Sequence, residues 1–337
     1  PLNGDQPLTP TLKAPDGRPI YNQTGRGTYK GGLYTESGGE RDVFSVAFSR
    51  YFNDGDGSFS MGYTHQDIQE LSGMASTTAN SSYGKYAASD YNNRTAQRSI
   101  YETEHRFFAT ASSTHYFLGA DKPTTFNLYF ERKSGLPGTY SWDTYTSRNY
   151  GGTAYQREAF GYEKNLNDDS SHLIYVPTGL TDPNVCWGSC AGAPDLAIAN
   201  QVLDMLYNQL GLASYAGQIV PNGVYEYPWQ TSLDLKITQI LPGFRAEDEF
   251  VISLGIENLL NLIDSDNGEI KYGPYNGKMA VLDMYMNDDF SKYIYPNYKG
   301  RGYPDWAFGF NQNNPKGIRK SAVNSIWRAQ LGFTYKF

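Results

Sequence analysis

The sequence predicts an all-β fold: a segment of an antiparallel transmembrane β-barrel, with long loops on one side and one short loop helix. Three observations predict it. Apolar and polar residues alternate with a period of two over stretches of about 9–13 residues, enough to cross a bilayer at a tilt. These stretches come in pairs joined by short turns, and much longer segments join the pairs. Mean hydropathy is −0.57 and no apolar run is long enough for a spanning helix, so a route through a membrane would have to be made of strands.

The closing stretch shows the pattern best. Trp327, Ala329, Leu331, Phe333, Tyr335 and Phe337 share one face, and Arg328, Gln330, Gly332, Thr334 and Lys336 share the other. Aromatics at both ends of the apolar face suit two lipid–water interfaces, and the chain stops on Phe337 without a polar tail. The last strand of a soluble sandwich would alternate too, so this stretch alone leaves both readings open.

In chain order, residues 1–41 are rich in Gly, Pro, Asn and Thr and read as a long loop. Pro1-Leu2-Asn3 is not an ordinary start, and a preceding part of a longer protein is expected. Asp42 to Phe52 alternates, Asn53-Asp54-Gly55-Asp56-Gly57 turns, and Ser58 to Gln66 returns. After a polar segment, 104–117 and 124–133 make a second pair, with the facing of the first unclear because Phe107 and Phe108 are adjacent. The excursion 134–228 holds a helix over 195–210, capped by Asp195, with Leu196, Ala199, Leu203, Leu206 and Leu210 as its apolar stripe. That stripe is expected to pack on its own loop. Trp229 to Ile240 and Phe250 to Glu257 form the third pair, with Leu233, Leu235 and Ile237 alternating against Ser232, Asp234, Lys236 and Thr238. The repeated plan is strand, short turn, strand, long loop, which is the lopsided connectivity of an outer-membrane barrel.

Composition narrows the function. A net charge of −7 argues against a nucleic-acid partner. The 29 Tyr suit interface girdles and binding loops. The only cysteines, Cys186 and Cys190, lie in one loop; outside the cytoplasm they are expected to close as a disulfide. No supported Ser/His/Asp set exists, so no catalytic residue and no enzyme activity are expected. His65, His105, His115 and His172 are scattered along the chain, and no metal site is expected; the first three read as wall or interface histidines. Asp264-Ser265-Asp266-Asn267-Gly268 lacks the distal Glu of a calcium loop and reads as a solvated turn, and Asp168-Asp169 reads as surface charge.

Gly255-Ile256-Glu257-Asn258-Leu259-Leu260-Asn261-Leu262 resembles the N-L-x-N signature near the end of TonB-dependent outer-membrane receptors. Asp16-Gly17-Arg18-Pro19-Ile20-Tyr21, Phe130-Glu131-Arg132-Lys133-Ser134-Gly135-Leu136-Pro137, Leu173-Ile174-Tyr175-Val176-Pro177, the run from Gln218-Ile219-Val220-Pro221 to Pro228-Trp229, and Gln239-Ile240-Leu241-Pro242 resemble the Oar-like subgroup. The resemblance implies that 1–337 is the C-terminal portion of a barrel of about 22 strands. About seven strands would be present here. An N-terminal plug, the TonB-interacting part and the other strands would lie outside this sequence. It implies a Gram-negative outer-membrane location, lipid, plug and TonB as partners, and import or export of an unnamed ligand held by extracellular loops. No cofactor is implied. The alternative is a surface adhesion or assembly protein that binds a partner protein without active transport.

Ligand contacts are expected on aromatic-rich loops, at Tyr140, Trp142 and Tyr145 and at Tyr303, Trp306 and Phe308. Packing of the loops against each other is the equal alternative for these rings. Asp234, Lys236, Glu257 and Arg328 are expected to pair along the inner wall or touch the plug.

Overall fold

The computed structural model describes residues 12–20, 38–71, 77, 82, 86–90, 93–143, 149–150, 153–154, 160, 172–273, 277–296 and 317–337. The chain is mostly β. Seven long strands form one antiparallel sheet: β1 (Glu40–Phe52), β2 (Gly57–Glu70), β3 (His105–His115), β4 (Thr124–Lys133), β5 (Gln230–Pro242), β6 (Glu249–Glu257) and β7 (Arg328–Lys336). Each pairs with its neighbours in sequence, from β1 across to β7. Among the described residues, β7 pairs only with β6, and β1 only with β2. Among the described residues, neither outer edge of the sheet has a further strand.

The alternation seen in the sequence becomes two continuous faces because the register aligns it across every pair. Met61 lies opposite Phe48 and Ala109, Phe130 opposite Ala109 and Leu233, and Leu254 opposite Ile237 and Leu331. The facing of β3 is resolved by its partners. Phe107 lies opposite Tyr63 and joins the apolar face, whereas Phe108 lies opposite Gly62 and Glu131 on the polar face. Gly62 leaves room there, since a Cβ on it would come within 2.4 Å of the Phe108 ring. The polar face is knitted by cross-strand pairs: Ser49 with Ser60 at 2.8 Å, Thr114 with Thr125 at 3.0 Å, and Arg106 with Glu131 at 2.7 Å. The β1–β2 turn needs left-handed backbone at Asp54 (φ 52°) and Gly55 (φ 106°), which Asp tolerates and Gly favours.

The hydrophobic core lies elsewhere. Its buried residues include Trp142, Tyr175, Trp187, Tyr293 and Tyr295, and none comes from the seven long strands. They come from the long connections, which fold together as a cap at one end of the sheet. Pro137–Asp143 pairs with His172–Leu173, with Tyr225–Glu226 and, in parallel, with Lys278–Asp283. Val185–Trp187 runs parallel to Tyr293–Tyr295. Two separate excursions thus share one set of strands. Gly135 sits where β4 enters the cap, and a Cβ there would lie 2.1 Å from the Tyr227 carbonyl oxygen.

The loop helix is α1 (Leu196–Asp204), and the Asp195 carboxylate accepts from the Ala197 and Ile198 amides at 3.0 and 3.1 Å. Ala199, Leu206 and Leu210 of the expected stripe are buried, with Val202 and Met205 beside them, while Leu196 is exposed and Leu203 only partly covered. The α-helical turns stop at Asp204, and Met205–Gln209 continues as a wider π turn.

Candidate functional site

The cap is built around a buried guanidinium. Asp16 and Arg18 belong to a small hairpin, Leu12–Lys13 with Pro19–Ile20, lying in the segment expected to be loop. Arg18 pairs with Asp16 at 2.6 Å, and both side chains are almost wholly excluded from solvent. Its Nη1 donates to the Leu173 carbonyl at 2.7 Å. The guanidinium carbon lies 4.6 Å from the centre of the Trp142 ring and 5.1 Å from that of Phe160. His172 is fully buried beside this group. Burial first, then the Arg18 and Lys278 charges, hold its imidazole well below the usual range. Burial also pushes the Tyr175 hydroxyl up to about 12. The expected disulfide is present between Cys186 and Cys190, with Cα atoms 5.1 Å apart. It closes the turn between the Val185–Trp187 strand and α1.

The structure divides the expected ligand-contact residues. Tyr140 and Trp142 are fully buried, as loop packing would have them. Tyr140 stacks on Tyr225 at 4.4 Å, and Trp142 packs on Phe160, Tyr293 and Tyr295. Their rings hold the cap together. Tyr145, Tyr303, Trp306 and Phe308 lie outside the described residues, as does Asp168-Asp169. The Asp264 turn is closed by its own bonds, with the carboxylate accepting from the Asp266 amide at 3.0 Å and Asn267 Nδ2 at 2.8 Å.

On the polar face of the sheet lies a hollow of about 490 Å³, lined by Ser112, Asn127, Tyr129, Asp234, Lys236 and Glu257 among others. This is the face on which Asp234, Lys236, Glu257 and Arg328 were expected. Arg328 pairs with Glu257 at 3.2 Å, and Asp234 accepts from the Asn258 amide at 2.8 Å. The N-L-x-N residues explain themselves here. Asn258 takes a left-handed conformation (φ 54°) and ties its side chain to the Gly268 carbonyl at 2.9 Å, while Asn261 Nδ2 reaches Ser265 and Asn267 carbonyls.

Aromatic rings gather at both ends of the apolar face. At the cap end, Tyr63, His105, Phe107 and Trp229 stack in series, with the Arg132 guanidinium 5.4 Å from the Trp229 centre. At the short-turn end, His115, Phe117 and Phe126 form one group, and Phe244, Phe250, Tyr335 and Phe337 another. The cap-end row carries a polar cluster that the sequence had not joined. Arg98 pairs with Glu102, Glu104 and Glu226 at 2.5, 2.7 and 2.7 Å. The Glu104 carboxyl is held above its usual range, first by a hydrogen bond shared with Glu226 and then by burial, against the pull of Arg98. His105 Nε2 lies 3.2 Å from Glu104 Oε1.

No family model, no curated protein and no solved structure matches the chain.

Proposed function

We propose that this chain is the C-terminal part of a TonB-dependent, Oar-like outer-membrane transporter whose strands cross the bilayer and whose cap faces outward. The observation that carries the reading is an apolar sheet face that, among the described residues, no part of the core covers. On the outer strands Phe44, Phe48, Leu331 and Phe333 are each more than half exposed. A soluble protein rarely leaves so large an apolar area open to water. Lipid accounts for it, and the aromatic rows at both ends match the headgroup levels. The span between the rows also fits. From Trp229 to Leu241, which lies opposite Phe250, twelve steps of about 3.3 Å at a tilt of about 40° rise roughly 30 Å, the thickness of the hydrocarbon layer. The polar face with its hollow then lines the interior, and the free edges of β1 and β7 meet the remaining strands of the barrel. In this role the protein breaks no bonds. The cap holds a ligand, and an inner-membrane motor acting through TonB drives its passage.

The solid core of the cap favours a second reading, a surface adhesion or assembly protein that presents the cap to a partner protein. Fractionation and transport assays separate the possibilities. The full-length protein is expected in the outer-membrane fraction, extractable only with detergent, with its ligand movement abolished when TonB is deleted. Partner binding that survives TonB deletion, with no transport defect, supports the adhesion role. Recovery as a water-soluble monomer with this face buried sinks both.

A further inference from the structure

We propose that His65, His105 and Glu104 form a site for a divalent transition-metal ion of the zinc class at the cap end of β2 and β3. Forty residues separate the two histidines, but the antiparallel register sets them directly opposite each other. The Gln66 amide donates to the Glu104 carbonyl at 2.9 Å. The His65–His105 pair is thus of the non-hydrogen-bonded kind, in which side chains stand closest. The two ring centres are 5.1 Å apart.

The outer contacts fix which nitrogens are available. His65 Nδ1 lies 3.1 Å from the Glu104 carbonyl oxygen. A carbonyl only accepts, so Nδ1 carries the proton and Nε2 keeps its lone pair. His105 Nδ1 meets the Tyr63 hydroxyl at 2.9 Å, which leaves Nε2 directed at Glu104. Glu104 Oε2 is held by Arg98 at 2.7 Å, so Oε1 is the atom offered. Each prospective ligand therefore has its second atom anchored by a neighbour, the arrangement that orients metal ligands. Stacking of His105 on Trp229, nearly coplanar at 9°, holds that ring further.

Distances and charge agree. The three ligand groups offer atoms within 4.8 Å of one another. Tetrahedral zinc with bonds of about 2.0–2.2 Å separates its ligands by about 3.4 Å, so the 3.2 Å between His105 and Glu104 already fits. The proposal requires His65 Nε2 to reach the same separation from both. The single Arg98 guanidinium faces three carboxylates, and a divalent ion supplies positive charge that the cluster lacks. Two imidazoles and one carboxylate favour zinc, copper or nickel over calcium or magnesium, which take oxygen ligands. His105 and Glu104 are about one-third exposed, so water can fill the fourth position. The ion would tie the end of β2 to the start of β3 and to the Arg98 segment. This inference rests on strand register and not on the membrane reading.

The test is titration of the metal-free, full-length protein in detergent with zinc chloride, followed by cobalt(II). One zinc per chain is expected, and His65→Ala, His105→Ala and Glu104→Gln are each expected to weaken binding by about 100-fold or more. His115→Ala is expected to leave it unchanged. Cobalt in the unsubstituted protein is expected to give the intense visible absorption of a tetrahedral site, a readout independent of whether any variant folds. Unchanged affinity in the His65→Ala/His105→Ala double variant would overturn the proposal. So would the absence of a one-to-one cobalt complex with tetrahedral absorption in the unsubstituted protein.

Discussion

Placing an arginine at Leu254 and another at Ser253 puts the same charge on opposite faces of β6, one residue apart. Leu254 lies opposite Ile237 and Leu331, and Ser253 opposite Thr238 and Gly332. Depth follows from the register. Ile237 is two-thirds of the way from Trp229 to Leu241, so on the proposed membrane reading Leu254 would sit roughly 5 Å from the centre of a layer of about 30 Å. A lipid-facing arginine costs about 2–4 kcal/mol at the midplane and less toward the interfaces, so about 2–3 kcal/mol is expected for Leu254→Arg. That is a roughly 30- to 160-fold loss in the folding constant. Ser253→Arg falls on the polar face, which already carries Lys236 and Glu257, and is expected within about 0.5 kcal/mol of the parent. The assay is reversible urea unfolding of the full-length protein in lipid vesicles, followed by tryptophan fluorescence. Equal costs at the two positions would refute the facing. A loss of similar size at Leu254 in water without lipid would mean that a layer of protein, and not hydrocarbon, covers the face.

Four further outcomes are expected of the cap. Because burial lowers the His172 pKa in the folded state, the unfolded chain binds its proton first; stability is full above about pH 6.5 and falls by up to about 1.4 kcal/mol per unit as pH drops below it. A His172→Gln variant is expected to flatten that part of the pH–stability curve, and an unchanged slope would remove His172 as its cause. Arg18→Ala leaves the buried Asp16 carboxylate without its partner and is expected to cost about 3–5 kcal/mol, seen as faster proteolysis within the cap. Loss of the Cys186–Cys190 bond by Cys186→Ser reopens a very short loop and is expected to cost only about 2 kcal/mol in chemical unfolding. Gly135→Ala drives a Cβ against the Tyr227 carbonyl, which is backbone and cannot rotate away, so a cost of about 3 kcal/mol or more is expected in thermal unfolding of the cap.

The strands were legible because their physics is local. A period of two names the faces of β5, β6 and β7 without knowledge of any partner, and Cys186 and Cys190 are too close in sequence to miss. The facing of β3 was not legible, since Phe107 and Phe108 offer an apolar ring to either side. Only pairing with Gly62 and Glu131 assigns Phe108 to the polar face. The cap was hidden for the same reason on a larger scale. Pro137–Asp143 takes a parallel partner more than 130 residues later, Lys278–Asp283, and no periodicity encodes that choice. Tyr140 and Trp142 therefore looked like exposed loop aromatics. His65 and His105 looked scattered because their meeting depends on register across the connection from β2 to β3. A signal was available in hindsight: both fall on the apolar parity of their strands, near the ends that carry the long connection.

The division between sheet and cap has an energetic consequence. Among the described residues, the buried apolar cluster lies in the cap, so there the hydrophobic effect in water stabilises the cap and not the sheet. The long strands have cross-strand hydrogen bonds and ion pairs on one face but expose apolar side chains on the other. Their outer edges, thirteen residues of β1 and nine of β7, have no further strand among the described residues and offer backbone groups to any strand in reach. A sheet of this kind is a poor folding unit by itself in water. On the proposed membrane reading, hydrocarbon on the apolar face and strands on both edges would supply what is missing, and would do so together, because an open edge in lipid leaves backbone groups unsatisfied. On that reading closure and insertion would be one event for the sheet. The cap, with its own core, disulfide and buried Arg18–Asp16 pair, folds by the rules of a water-soluble domain.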